Sequence, residues 1–128
     1  MSDDARDCFR KYLANAAFAQ KLEDQFPEEA AWSCVVRFYA ALHLINAYLI
    51  DKKNVRLDPE ATAHMERKAA MDKCPELRDA PKKYRELKDL SERARYDATW
   101  EYTPARHDMA KAFLAKIVAI VEPKLKKD

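Results

Sequence analysis

Glycine is absent from this 128-residue chain. Phosphate-cradling loops, dinucleotide-binding fingerprints and type I′ hairpin turns need glycine where a Cβ would obstruct the backbone, so those classes are excluded. Cysteine is scarce: Cys8, Cys34 and Cys74 are odd in number and no two form a CxxC pair, which predicts free thiols. The three histidines, His43, His64 and His107, are dispersed, and no HExxH or ExxH pattern joins them, so no metal and no cofactor is implied. Ser91 has no base near it in sequence, and nucleophilic hydrolysis gains no support from it. Charge of one sign is also lacking: 24 basic against 22 acidic residues leave a net +2, too little for a global field that would attract any nucleic acid.

Long apolar runs are limited to one, WSCVVRFYAALHLINAYLI at positions 32 to 50. It has the length of a membrane span, but lipid would penalise Arg37 and His43 near its middle, and charged amphipathic segments flank it. A central helix of a soluble bundle is the expected reading, with no membrane partner. The opening MSDDARDCF carries three aspartates and no apolar core, unlike a secretory or transit segment, and a cytoplasmic location is expected.

What is present is helical periodicity. Phe9, Tyr12, Leu13, Ala16, Ala19, Leu22 and Phe26 recur at threes and fours, predicting a first helix from about Asp3 to Asp24 with one buried stripe. Pro27, Glu28 and Glu29 suit the start of a second helix running to about Ile50. Asp58 and Pro59 form a cap and first-turn pair for a third, which Pro75 closes. A fourth begins near Pro81, with Tyr84, Leu87, Leu90, Ser91, Ala94 and Arg95 inward. Thr103 and Pro104 open the last, whose stripe is Met109, Ala112, Phe113, Ile117, Ile120 and Val121. The prediction is an all-α, single-domain helical bundle over residues 1–128, of four main helices plus one shorter. Its core spans about 5–121, and residues 122–128 form a solvated basic tail.

Tyr39, His43 and Asn46 are spaced by four and three and share one face of the second helix. Arg37 precedes His43 by six residues, about 120° away around the helix, so one chain aims both at the same point only if long side chains curl toward a groove, whereas a two-fold dimer could bring Arg37 of one chain near His43 of the other. Residues 81–95, PKKYRELKDLSERAR, hold six basic and three acidic side chains. The adjoining SERARYDATWEY sets Arg93, Arg95, Tyr96 and Tyr102 near one another, a mixture that grips phosphate and stacks bases or, in ordinary proteins, packs helix ends. His64 and Arg67, one turn apart in AHMERKAAM, read as a solvated face beside Glu66 and Lys68. His107 is assigned no role.

Taken together, RFYAALHLINAYL, HMERKAAM and YRELKDLSERARYD ahead of a final amphipathic helix resemble the HEPN superfamily of small helical domains in prokaryotic toxin and defence systems, over residues 5 to 121. Nuclease members carry an arginine followed after four to six residues by a histidine, acting across a homodimer groove as a metal-independent endoribonuclease. The resemblance therefore implies a catalytic set of Arg37, His43 and Arg95. Tyr39, Asn46, Arg93, Tyr96 and Tyr102 would contact RNA. The family's usual motif lies later in the domain, where Arg93 or Arg95 supplies the arginine but Glu101 and Tyr102 stand where the histidine is expected. The alternative is a noncatalytic helical dimer or accessory module that binds nucleotide or a protein such as a nucleotidyltransferase-like partner.

Overall fold

In the computed structural model, residues 1–56, 63–97 and 99–125 are described. Among them every regular element is helical: α1 (Asp3–Gln25), α2 (Ala30–Lys53), α3 (Ala63–Asp72), α4 (Ala80–Tyr96) and α5 (Pro104–Leu125). Single 3₁₀ turns at Pro27–Glu29 and Pro75–Leu77 precede α2 and α4.

Local chemistry accounts for the ends. Ser2 Oγ accepts the Ala5 N–H at 3.2 Å to cap α1, and Thr103 Oγ1 accepts the Arg106 N–H at 3.2 Å to cap α5, with Pro104 at its first position as expected. Without glycine, α2 closes on Asn54 in the left-handed region (φ 52°), and the Val55 N–H returns to the Leu49 carbonyl at 3.1 Å. The Asp58 cap and Pro59 lie outside the described residues. Two boundaries differ from expectation. Glu28 and Glu29 belong to the 3₁₀ turn rather than to α2. The last helix runs through Pro123, and Leu125 is buried, so residues 122–125 are helix and not tail. Proline there removes one N–H, but burying the next apolar side chain holds the final turn together. Lys126 to Asp128 lie outside the described residues.

As its all-round apolar pattern requires, α2 is the central helix, packed against α1, α4 and α5. Leu44, Ile45 and Leu49 of α2 meet Leu87 of α4 and Ile117, Val121 and Leu125 of α5 in the core. Each such side chain contributes about 1.5–3 kcal/mol by leaving water. The outer helices bury narrower stripes than their sequences offer. On α1 only Ala5, Tyr12 and Ala19 are buried, at a seven-residue spacing, while Leu13 and Phe26 are exposed; on α5, Met109 and Ala112 are exposed. A helix covers only the positions that face its neighbours, α2 in the case of α1 and both α2 and α4 in the case of α5, and apolar positions beside those contacts stay in solvent. The chain from Pro27 to Lys53 is long and apolar enough to cross a membrane, and 72% of its most apolar window is buried within the protein.

Candidate functional site

The outward face of α2 carries Trp32, Tyr39, His43 and Asn46 at helical spacing, the first two exposed and the others half-buried. The C-terminal turns of α4 lie beside it. Arg95 Nη1 donates to the Tyr39 hydroxyl at 3.1 Å, and its guanidinium sits 4.8 Å from the centre of the Tyr96 ring, which is 72% exposed. Tyr39 in turn leans on Phe38, with ring centres 5.4 Å apart. A flat cation and two aromatic rings are thus held together at the surface, 56 residues apart in sequence, with the guanidinium oriented by a neutral acceptor that leaves its charge unspent. Arg93 lies one turn along from Asp89 and pairs with it at 3.3 Å.

His43 has no hydrogen-bond partner among the described residues. Burial, then the charges of Lys11 and Arg67, lower its pKa below 6.5 and favour the neutral ring. Asn46 turns its Oδ1 to the Arg67 Nε at 2.7 Å.

Arg37 and Tyr102 sit elsewhere. Arg37 is 4% exposed, donates to Ser33 Oγ at 3.1 Å and to Gln20 Oε1 at 3.5 Å, and lies 3.6 Å from a carboxylate oxygen of Glu23. Glu23 also receives Gln20 at 2.8 Å, Lys111 at 3.3 Å and the Nε2 of His107. Because an ionised carboxylate only accepts, His107 carries its proton on Nε2, and in the neutral ring Nδ1 accepts the Tyr102 hydroxyl, 2.9 Å away. Burial alone would raise the Glu23 carboxyl, but His107, Arg37, Lys111 and Gln20 outweigh it and hold the group down to about 2. Burial, followed by the adjoining Cys34, raises the Tyr102 phenol, so its proton stays in place.

Of the residues singled out in the sequence, the fold therefore brings Tyr39, Arg95 and Tyr96 into contact and sets His43 and Asn46 along the same face. It sends Arg37 and Tyr102 to the α1–α5 side. Arg37 does not face a basic groove, and its charge is already met by Glu23. Nor does His107 lack a role, since it ties the start of α5 to α1 through Glu23; with 84 residues between the partners, no local pattern signals that bond. Arg67 is buried, although three consecutive charged residues suggested a solvated face. Ser91 is buried in the helix interface. Among the described residues no group of three or more His, Cys, Asp or Glu side chains could hold a metal. Compared with models of protein families, with curated proteins and with solved structures, the chain matches none.

Proposed function

We propose that this chain is an HEPN-like helical domain that binds single-stranded RNA on the α2–α4 face and does not cleave it with Arg37 and His43. The observation that carries the reading is the Arg95 guanidinium held between Tyr39 and the exposed Tyr96 ring. Such a unit contacts a phosphate through the cation and stacks an unpaired base on the ring, both without sequence preference. Support for the noncatalytic form comes from Arg37. A cation buried against Glu23 is not available to stabilise charge on a scissile phosphate, and within one chain it turns away from His43. Self-association as a homodimer through α2 and α4 belongs to the same proposal, with the exposed Trp32 as its apolar contact.

The test is fluorescence anisotropy with matched single-stranded and duplex RNAs, alongside digestion in the presence of a chelator. The single strand is expected to bind more tightly, with salt dependence. Tyr96→Ala should weaken it about tenfold, because stacking on one aromatic ring is worth about 1–3 kcal/mol. Arg95→Ala should also lower the salt slope by about 0.7, one phosphate contact on a single strand. Binding that ignores both substitutions would refute the surface. Chelator-resistant cleavage that disappears in His43→Ala would refute the noncatalytic reading.

A further inference from the structure

The first turn of α5 carries a second arginine laid on an aromatic ring. The Arg106 guanidinium sits 4.3 Å from the centre of the Trp100 ring, closer than Arg95 lies to Tyr96, and its Nη1 donates to the Glu101 carbonyl in a hydrogen bond at the surface. No carboxylate pairs with Arg106 among the described residues. The contact has a local cause. Thr103 caps α5 and Pro104 opens it, and because helical side chains lean toward the N-terminus, Arg106 reaches back over the segment that enters the helix.

With Nη1 taken, Nε and Nη2 of Arg106 have no acceptor among the described residues. Since no buried side-chain nitrogen or oxygen there lacks a partner, both keep access to solvent. Their N–H bonds lie side by side on the planar guanidinium, along the edge that matches two oxygens of one phosphate. Trp100 is half-buried and packs against the core, so it gives the guanidinium a fixed base. The ring face and the Glu101 carbonyl are both neutral. They set the plane of the group, leave its charge unspent and reduce the rotamer freedom that binding would cost.

The position suits a strand that lies on Tyr96. The Trp100 N–H reaches the Asp97 carbonyl at 3.2 Å, a hydrogen bond that holds residues three apart within about 7 Å, and Tyr96 is the neighbour of Asp97. Both arginine–aromatic units therefore stand at the same end of the bundle, one closing α4 and the other opening α5, where the positive end of the α5 dipole also lies. Two acidic side chains share this connection. Asp97 accepts from the Thr99 N–H at 3.1 Å and from the Thr99 hydroxyl at 2.8 Å, and Glu101 is exposed; neither pairs with Arg106.

We infer that Arg106 is a second phosphate contact for single-stranded RNA, gripping one phosphodiester through Nε–H and Nη2–H, with Trp100 as the residue that positions it. The inference rests on the RNA-binding reading above and extends that surface across the α4–α5 connection.

Anisotropy with one single-stranded RNA over a range of salt is the test, with Arg106→Gln, Arg106→Lys and Tyr96→Ala measured side by side. Arg106→Gln is expected to weaken binding about tenfold, as for loss of hydrogen bonds to a charged group, and to lower the salt slope by about 0.7. Arg106→Lys keeps the charge and loses the paired donors, so it should weaken binding and leave the slope nearly unchanged. Trp100→Leu should behave like the lysine variant, because it keeps the charge and frees its orientation, and Trp100→Phe should restore much of the affinity by returning a ring. Arg106→Gln that binds as the wild type does, while Tyr96→Ala is weakened, overturns the contact and leaves the RNA surface standing. Arg106→Lys that binds as tightly as the wild type overturns the two-donor grip. A wild type that does not bind the single strand overturns the contact and the RNA-binding reading together.

Discussion

Arg37 and Arg67 are withdrawn from solvent to the same degree, but their surroundings differ. Around Arg37, from α2, the fold gathers Glu23 from α1 and His107 and Lys111 from α5, so that the buried charge is matched and three helices share one carboxylate. Around Arg67, from α3, it gathers an amide, an imidazole and a phenol, which satisfy hydrogen bonds and leave the charge intact. A buried charge with its partner is a fastening between elements. One without a partner is held by neutral hydrogen bonds alone. The contrast arises although both regions pair an arginine with a histidine.

Glu23→Ala is the sharpest way to break this comparison. It strands Arg37 without its counter-charge and frees His107, and a loss of about 3 kcal/mol is expected from urea unfolding, as for one partner of a buried pair. A loss below about 1 kcal/mol would mean that the cluster fastens nothing.

Acid titration should separate the two regions. Glu23 ordinarily ionises near 4.5 and is held at about 2 in the fold, so its contribution is complete above 4.5 and is lost as pH falls toward 2. Glu76, held down to about 2 by Lys53 and Tyr48, follows the same course. His43 and His64 have pKa values lowered below 6.5, so their contribution is lost as pH falls from that value, ahead of the carboxylates. Unfolding followed across this range should therefore decline in two stages. Glu23→Gln should flatten only the lower stage and leave the upper one unchanged.

The smallest expected effect comes from Arg67→Met. It should change stability by no more than about 1 kcal/mol, because relief of an unmatched buried charge offsets the lost hydrogen bonds. A loss comparable to that of Glu23→Ala would place Arg67 among the fastenings and remove the distinction.

Much of the helical layout was legible in the sequence. Threonine followed by proline fixed the start of α5, the first helix lay where its apolar spacing put it, and the one long apolar run became the central helix. These are local signals, set by backbone hydrogen bonds and by side chains within a turn or two. The shared face of Tyr39, His43 and Asn46 was legible for the same reason. The width of the buried stripes was not, since Leu13 and Met109 are apolar at the right spacing and become exposed because α1 packs on α2, and α5 on α2 and α4, without covering those positions.

The sequence by itself determined that the chain forms helices, where most of them begin, and which of them is surrounded. The tertiary structure decided which charge meets which. Glu23 finds His107 across 84 residues, and Arg67 finds Asn46 and Tyr84 on two other helices. Helical periodicity fixes the direction in which a side chain leaves its own helix. Whether a carboxylate or only a neutral acceptor waits there depends on how the helices cross and stagger, and that is settled by packing the whole core.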